Sequence, residues 1–151
     1  MSYIFGILDF SGVNIKEGEL TKLERSVNGE NFVSHIELAV NYAIGYGHFP
    51  GRESNCAIYM YQHLVLLADL RIYNLEYLKT FFSFDNQYEA FAKAFLKWGT
   101  YCANSINGDF AVVVIDQKNN EVHLIRDHIG ARPLAYCYMA NRLIFHRTNM
   151  G

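Results

Sequence analysis

Cys56, Cys102 and Cys137 are odd in number, and no two stand at C-x-x-C spacing. The thiols therefore offer neither a disulfide framework nor a zinc knuckle, and they are read as buried small apolar residues. The six histidines (His35, His48, His63, His123, His128 and His146) contain no helical H-x-x-x-H pair. The closest two, His123 and His128, straddle a strand end and a turn, so no metal centre is expected. Tyr88, Phe91, Phe95 and Trp98 recur at spacings of three, four and three. At helical period such an aromatic stripe is the face of a helix that packs on a sheet rather than a cofactor box. No G-x-x-x-x-G-K-[ST] string occurs, so a phosphate-cradling loop of that type is absent.

These groups must be held by one folded domain. The chain has 151 residues, 13 Lys+Arg against 15 Asp+Glu and a formal charge of -2, with a pI near 6.3. That balance argues against nucleic acid as a partner. At 51% hydrophobic and 15% aromatic with two prolines, the composition excludes disordered and collagen-like classes. The apolar runs, such as Leu64 to Ala68, are far short of the roughly 20 residues of a membrane span, and no secretory leader pattern opens the chain. Membrane attachment is not expected, and the cytoplasm is the expected location.

Residues Tyr3 to Phe10, rich in Ile, Phe and Tyr and followed by Ser11-Gly12, read as a strand at the N-terminus. Leu20, Leu23 and Val27 place a short helix over Glu17 to Val27, with Asn28-Gly29 as its stop. Strands are expected at Asn41 to Gly47 and, as a pair joined near Gln62-His63, within Cys56 to Arg71. Asn74 is expected to cap a helix through Leu75, Leu78 and Phe82. Asp85 or Asn86 is expected to cap a second helix, which carries the aromatic stripe and ends at Gly99. Beyond Asp109, hairpins are expected from Phe110 to Asp116, Glu121 to Arg126, Leu134 to Tyr138 and Arg142 to His146. Strands on both sides of a helical block, without strand-helix alternation, argue an α+β layered domain.

The opening Met1-Ser2-Tyr3-Ile4-Phe5-Gly6-Ile7-Leu8-Asp9 resembles the start of class II glutamine amidotransferase domains, particularly those of asparagine synthetases. A stronger match follows Trp98-Gly99: Ile106-Asn107-Gly108-Asp109-Phe110-Ala111, then Asp116, then Arg126-Asp127-His128-Ile129-Gly130-Ala131-Arg132-Pro133-Leu134. This is similar to the family's glycine turn, strand and Arg-Asp…Gly…Pro-Leu signature in order and spacing. The resemblance implies a four-layer αββα N-terminal-nucleophile hydrolase-like fold with two antiparallel sheets. In working members an N-terminal Cys attacks the glutamine amide, its own α-amine, with a pKa of about 8, serves as base, and ammonia passes to an ATP-using synthetase domain.

Within that frame Ser2 stands where the family has Cys; exposed by removal of Met1, its hydroxyl could still act as nucleophile. The family's oxyanion-hole Asn-Gly falls at Asp69-Leu70. An ionised Asp only accepts hydrogen bonds, and losing one oxyanion donor costs on the order of 10² to 10³ in rate. The family's Arg-Gly-Pro-Asp loop has no equivalent between His35 and Arg52. Its Gly-Ser-Asp-x-Glu glutamine clamp is reduced to Phe84-Asp85-Asn86-Gln87-Tyr88-Glu89, where Asp85 and Glu89 either echo the clamp or Asp85 caps the helix. The remaining motif residues read as architecture. Arg126 and Asp127 form an ion pair or satisfy backbone groups at a strand end, Asn107-Gly108 makes a turn, Gly130 supplies a positive φ, and Pro133 starts a strand rigidly.

Kept scaffold beside lost chemistry implies a glutaminase-like domain that is silent in hydrolysis. The Ala-Asp-x-Arg-Ile-x-Asn segment, with Trp-Gly, Asn-Gly-Asp-Phe and Arg-Asp-His-x-Gly, is most similar to the N-terminal domains of asparagine-synthetase-like lasso peptide cyclases. The expected organisation is one glutamine amidotransferase type 2-like domain over residues 1–151, structural or substrate-shaping in role. Its implied partner is an ATP-dependent synthetase domain on the same or a separate polypeptide, with a peptide as candidate substrate. ATP and Mg are implied for that domain; the Ser-Gly-Gly-x-Asp-Ser loop that would hold pyrophosphate is absent here, so no cofactor is expected in this chain. Two alternatives stay open: an active amidohydrolase using Ser2, and a stand-alone module binding a small molecule or peptide.

Overall fold

The computed structural model describes residues 2–28, 33–48, 50–51, 54–129 and 134–147. In chain order the elements are β1 (Ser2–Asp9), α1 (Glu17–Asn28), β2 (Val33–Leu38), β3 (Tyr42–His48), β4 (Cys56–Tyr61), β5 (Leu64–Ile72), α2 (Leu75–Leu78), α3 (Gln87–Trp98), a 3-10 helix (Gly99–Asn104), β6 (Gly108–Asp116), β7 (Glu121–Arg126), β8 (Leu134–Met139) and β9 (Arg142–Arg147). They make two sheets, ordered β2-β3-β1-β9-β8 and β4-β5-β6-β7, with antiparallel pairing. The α+β class follows directly. Two compact units divide the chain, Met1–Cys56 with Arg132–Gly151, and Ala57–Ala131.

In the first unit β1 is central, paired with β3 on one side and β9 on the other. All eight of its residues are buried, which is why its sequence alternates so poorly. Tyr3, Phe5 and Ile7 pack with Ile15, Leu20 of α1 and Ala43; full burial of each large apolar side chain contributes about 1.5–3 kcal/mol. Gly47 lies opposite Tyr3, and a Cβ there would run into the phenol ring. The missing side chain lets Tyr3 lie across the sheet and donate to Glu24 at 3.3 Å. The strand at Val33–Leu38 escaped the pattern reading because it is an edge strand with Ile36 and Leu38 exposed, so no in-out alternation marks it. The expected helix stop at Gly29 falls outside the described residues.

In the second unit β5 is buried on both faces from Leu64 to Leu70. Its Leu64, Leu66, Ala68 and Leu70 join Phe110, Val112 and Val114 of β6 against Ala90, Phe91, Ala94 and Phe95 of α3. The Phe91 and Phe110 rings meet edge to face, with centroids 5.7 Å apart, so the aromatic stripe is packing surface. Gly99 closes α3 at φ 62°, its N–H donating to the Phe95 carbonyl.

The expected helix from Asn74 and the expected burial of Cys137 are corrected, and of Asp85 and Asn86 one is found to cap α3. α2 is one turn, Leu75–Leu78, and does not run to Phe82; the Asn74 side chain makes no cap bond. Instead it donates to the Ser105 carbonyl at 2.9 Å and accepts from the Asn107 N–H at 2.8 Å, tying the end of the 3-10 helix to the start of β6. The cap of α3 is Asn86, whose Oδ1 accepts from the Glu89 N–H at 2.9 Å. Cys56 and Cys102 are buried, and burial pushes the Cys102 thiol up to about 12, but Cys137 is exposed on the edge strand β8. Among the described residues no helix is long and apolar enough to cross a membrane.

Candidate functional site

Ser2 opens β1, is 9% exposed, and faces His48 across the ladder. The Asp9 N–H donates to the Asn41 carbonyl and the Phe10 N–H to that of Asn141, so odd residues of β1 bond toward β3 and even residues toward β9. Ser2–His48 is therefore a non-hydrogen-bonded pair, the arrangement in which opposed side chains approach most closely. His48 stacks with His35, at 6.1 Å between ring centroids, and His35 stacks on Tyr46 at 4.8 Å. Burial raises the Tyr46 phenol, as does the Cys56 thiol. Arg147, opposite Ile4 on the same face of the sheet, is 2% exposed; burial pulls its pKa down, opposed by Cys56. None of these neighbours was singled out from the sequence. They come from three other strands, and only the register brings them beside Ser2.

Asp69 and Leu70 sit in β5, opposite Ala111 and Phe110 of β6. Alternation gives them opposite faces. Leu70 enters the core under α3, whereas Asp69, only 3% exposed, shares its face with Val65, Leu67, Ala111 and Val113. The Phe110 backbone bonds toward Asp127 on the β7 side, and the Ile72 N–H is taken by the Gln87 side chain at 3.1 Å. Even residues of β5 thus point their amides away from β6, and the Leu70 N–H points toward the β4 side.

Asp85 is exposed, and its N–H donates to Glu89 Oε2 at 2.9 Å. The other Glu89 oxygen meets Lys93 Nζ at 3.3 Å. The Asp85 amide, with help from Lys93 and against burial, holds the Glu89 carboxyl below its ordinary value. Both oxygens are thus engaged, one by the Asp85 N–H and one by Lys93, while the Glu89 N–H caps on Asn86 Oδ1.

Asn107 contributes its carbonyl to the Tyr73 N–H at 2.7 Å. Gly108 begins β6 so close to β5 that a Cβ would strike the Arg71 carbonyl oxygen. Asp127 takes the backbone alternative: its Oδ2 accepts the Phe110 N–H at 2.8 Å while its own N–H reaches the Phe110 carbonyl at 3.0 Å, extending the β6–β7 ladder past its last paired residues. Arg126 is exposed at the end of β7. Gly130 and Pro133 lie outside the described residues.

The first unit thus places a hydroxyl, an imidazole and a guanidinium on one face of its sheet, and the second a carboxyl group buried on an apolar face. Comparison with known proteins agrees with this reading of the scaffold. Residues 33–149 match a family profile described as a glutamine amidotransferase domain. The chain is 26% identical over 179 aligned positions, covering all of it, to a Methanocaldococcus jannaschii protein provisionally named asparagine synthetase (glutamine-hydrolyzing) 2, of which it spans 35%. It is 26% identical to asparagine synthetase (glutamine-hydrolyzing) 3 of Bacillus subtilis, over 81% of this chain and 20% of that one. With asparagine synthetase (glutamine-hydrolyzing) 2 of the same organism it shares 29% identity, over 54% and 12%. The chain spans about a third or less of the length of these relatives.

Proposed function

The chain belongs to the glutamine amidotransferase domain family, and from that premise we propose that it is a silent member, an asparagine-synthetase-like glutaminase domain that shapes or stabilises an ATP-dependent amide-forming partner without hydrolysing glutamine. The observation that carries this is Asp69, a buried carboxylate followed by Leu70 where the resemblance puts the Asn-Gly oxyanion pair. In the family that this resemblance points to, the Asn-Gly pair donates to the tetrahedral intermediate, and an aspartate in the Asn position brings no amide donor. The consumption of Glu89 in a helix cap supports the same reading, since that carboxylate is engaged by Asp85 and Lys93.

The partner is the synthetase domain, on the same or a separate polypeptide, of a lasso peptide cyclase or similar macrolactam synthetase working in the cytoplasm. ATP and Mg belong to that partner, which activates a carboxyl group, and no step is routed through residues of this chain. An enzyme that closes a ring with an amine already on its peptide substrate has no need of ammonia, which accounts for a domain kept after its glutaminase chemistry decayed.

Two measurements test the proposal. Purified chain should release no ammonia from glutamine above background; release that disappears in Ser2→Ala overturns it. Amide formation by the synthetase half should rise when the chain is added, and equal turnover without it removes the shaping role.

A second reading has one observation in its favour. His48 stands directly across from Ser2, so an imidazole is placed to take the hydroxyl proton in an amidohydrolase that uses Ser2. The Ser2→Ala comparison separates the two.

A further inference from the structure

Strand β8 closes one side of the five-stranded sheet and pairs only with β9 in the sheet order. Its sequence, Leu-Ala-Tyr-Cys-Tyr-Met, carries no charge. Five of its six residues are exposed, Tyr136 at 67%, Tyr138 at 59% and Met139 at 69%. Sheet edges are ordinarily guarded by charge, proline or cover, because their open amides and carbonyls template pairing with another chain. Among the described residues the other edges have such guards: β2 bears Glu37, β7 bears Glu121 and Arg126, and β4 is mostly half-buried.

The register states which groups β8 presents. Ala140 and Asn141, at φ 54° and 61°, make a two-residue turn, and Met139 pairs with Arg142. In such a hairpin the closing pair is hydrogen-bonded. Met139, Cys137 and Ala135 therefore bond to β9, while Tyr138 and Tyr136 turn their amides and carbonyls outward.

We propose that β8 pairs antiparallel with β8 of a second copy of this chain about a twofold axis at Cys137. Four features of the strand support that occupant. Centred there, Tyr136 meets the partner's Tyr138 as a hydrogen-bonded pair, and the symmetry repeats it, so four outward backbone bonds are made, with only Leu134, which faces the partner's turn at Ala140, outside them. Cys137 meets its own symmetry mate as a non-hydrogen-bonded pair. Tyrosines oppose tyrosines on one face, while Ala135 opposes the partner's Met139 on the other. No like charges are brought together, so the strand is complementary to itself, as an isologous contact requires.

The test uses the full chain in sedimentation-velocity runs at rising concentration. A monomer–dimer equilibrium is expected, and mild oxidation should trap the dimer as a disulfide, since a non-hydrogen-bonded pair holds Cα atoms about 4.5 Å apart, within disulfide reach. Cys137→Ser should abolish trapping and leave the non-covalent dimer in place. The double variant Tyr136→Lys with Tyr138→Lys sets lysine against lysine and should return the chain to monomer. Because Tyr136 turns its N–H outward, Tyr136→Pro removes two of the four dimer bonds, one from each copy, and no β8–β9 bond. It should give a monomer whose circular dichroism and melting temperature match the unmodified chain. A monomer at every concentration overturns the proposal, as does a dimer indifferent to the lysine pair or cross-linked through Cys56 or Cys102. Ammonia release is not read, so the outcome stands apart from that of the silent-domain reading.

Discussion

Arg142 holds Asp9 through Nε at 2.7 Å, across 133 residues of sequence, and with its Nη1 holds Glu19 at 2.7 Å. One guanidinium thereby fastens the end of β1 to both β9 and the first turn of α1. Asp9 also accepts from the Ser11 hydroxyl and N–H and from the Val13 N–H, and the Ser11 hydroxyl and Arg142 hold its carboxyl far below the ordinary range. The Lys16 N–H and then Arg142 lower Glu19 in the same way.

Replacing Arg142 with Met should lower the melting temperature at neutral pH. The sign with pH follows from depressed carboxylate pKa values: stabilisation is full above the unfolded carboxylate range, about pH 4, and is lost as pH falls through the lower folded values. The gap between unmodified and variant melting temperatures should be widest near neutrality and close under acid. Calorimetry from pH 7 downward checks this, and a gap that grows in acid contradicts it.

Gly108→Ala forces a methyl group against the Arg71 carbonyl and the Ile72 Cα. Both contacts are backbone in a paired strand and cannot swing aside, so a loss of about 3 kcal/mol is expected. Urea unfolding measures it. A variant as stable as the parent means the two strands can separate locally at no cost.

Asn86→Ala removes the side-chain cap of α3 and should cost about 1 kcal/mol, with the first turn exchanging its amide protons faster. Asn86→Asp retains an acceptor and should recover most of the loss. If both variants lose the same amount, the Glu89 N–H is not held by this side chain.

Asp69→Asn tests the electrostatic basis of silence. The substitution is nearly isosteric and restores an amide donor; combined with Ser2→Cys, it should bring ammonia release from glutamine above the unmodified chain. The expected gain is on the order of 10² over Ser2→Cys alone. No gain would show that the carboxylate is not what blocks the reaction.

The second half of the chain was the more legible. β6 is a continuous apolar run and β7 follows it across a turn, and the aromatic stripe of α3 repeats at helical spacing, so local pattern and tertiary packing agree there. β2 was not legible because Ile36 and Leu38 face solvent. The Asp9–Arg142 contact was not legible because nothing local ties residues at the two ends of a chain. Asn74 misled for a physical reason: a residue that favours helix caps has an amide equally suited to bridging Ser105 and Asn107. At the candidate site, the identities of Ser2 and Asp69 could be read directly, but the neighbours of Ser2 could not. His48, Tyr46 and Arg147 come onto its face of the sheet only through strand register.

The order of strands around β1 also bears on synthesis. On the ribosome, β1 emerges before the strands it pairs with and can acquire β3 early, while its other flank stays open until β9 is translated, after every element of the second unit. For much of translation the nascent protein therefore carries an unpaired strand edge, the kind of surface that templates pairing with another chain.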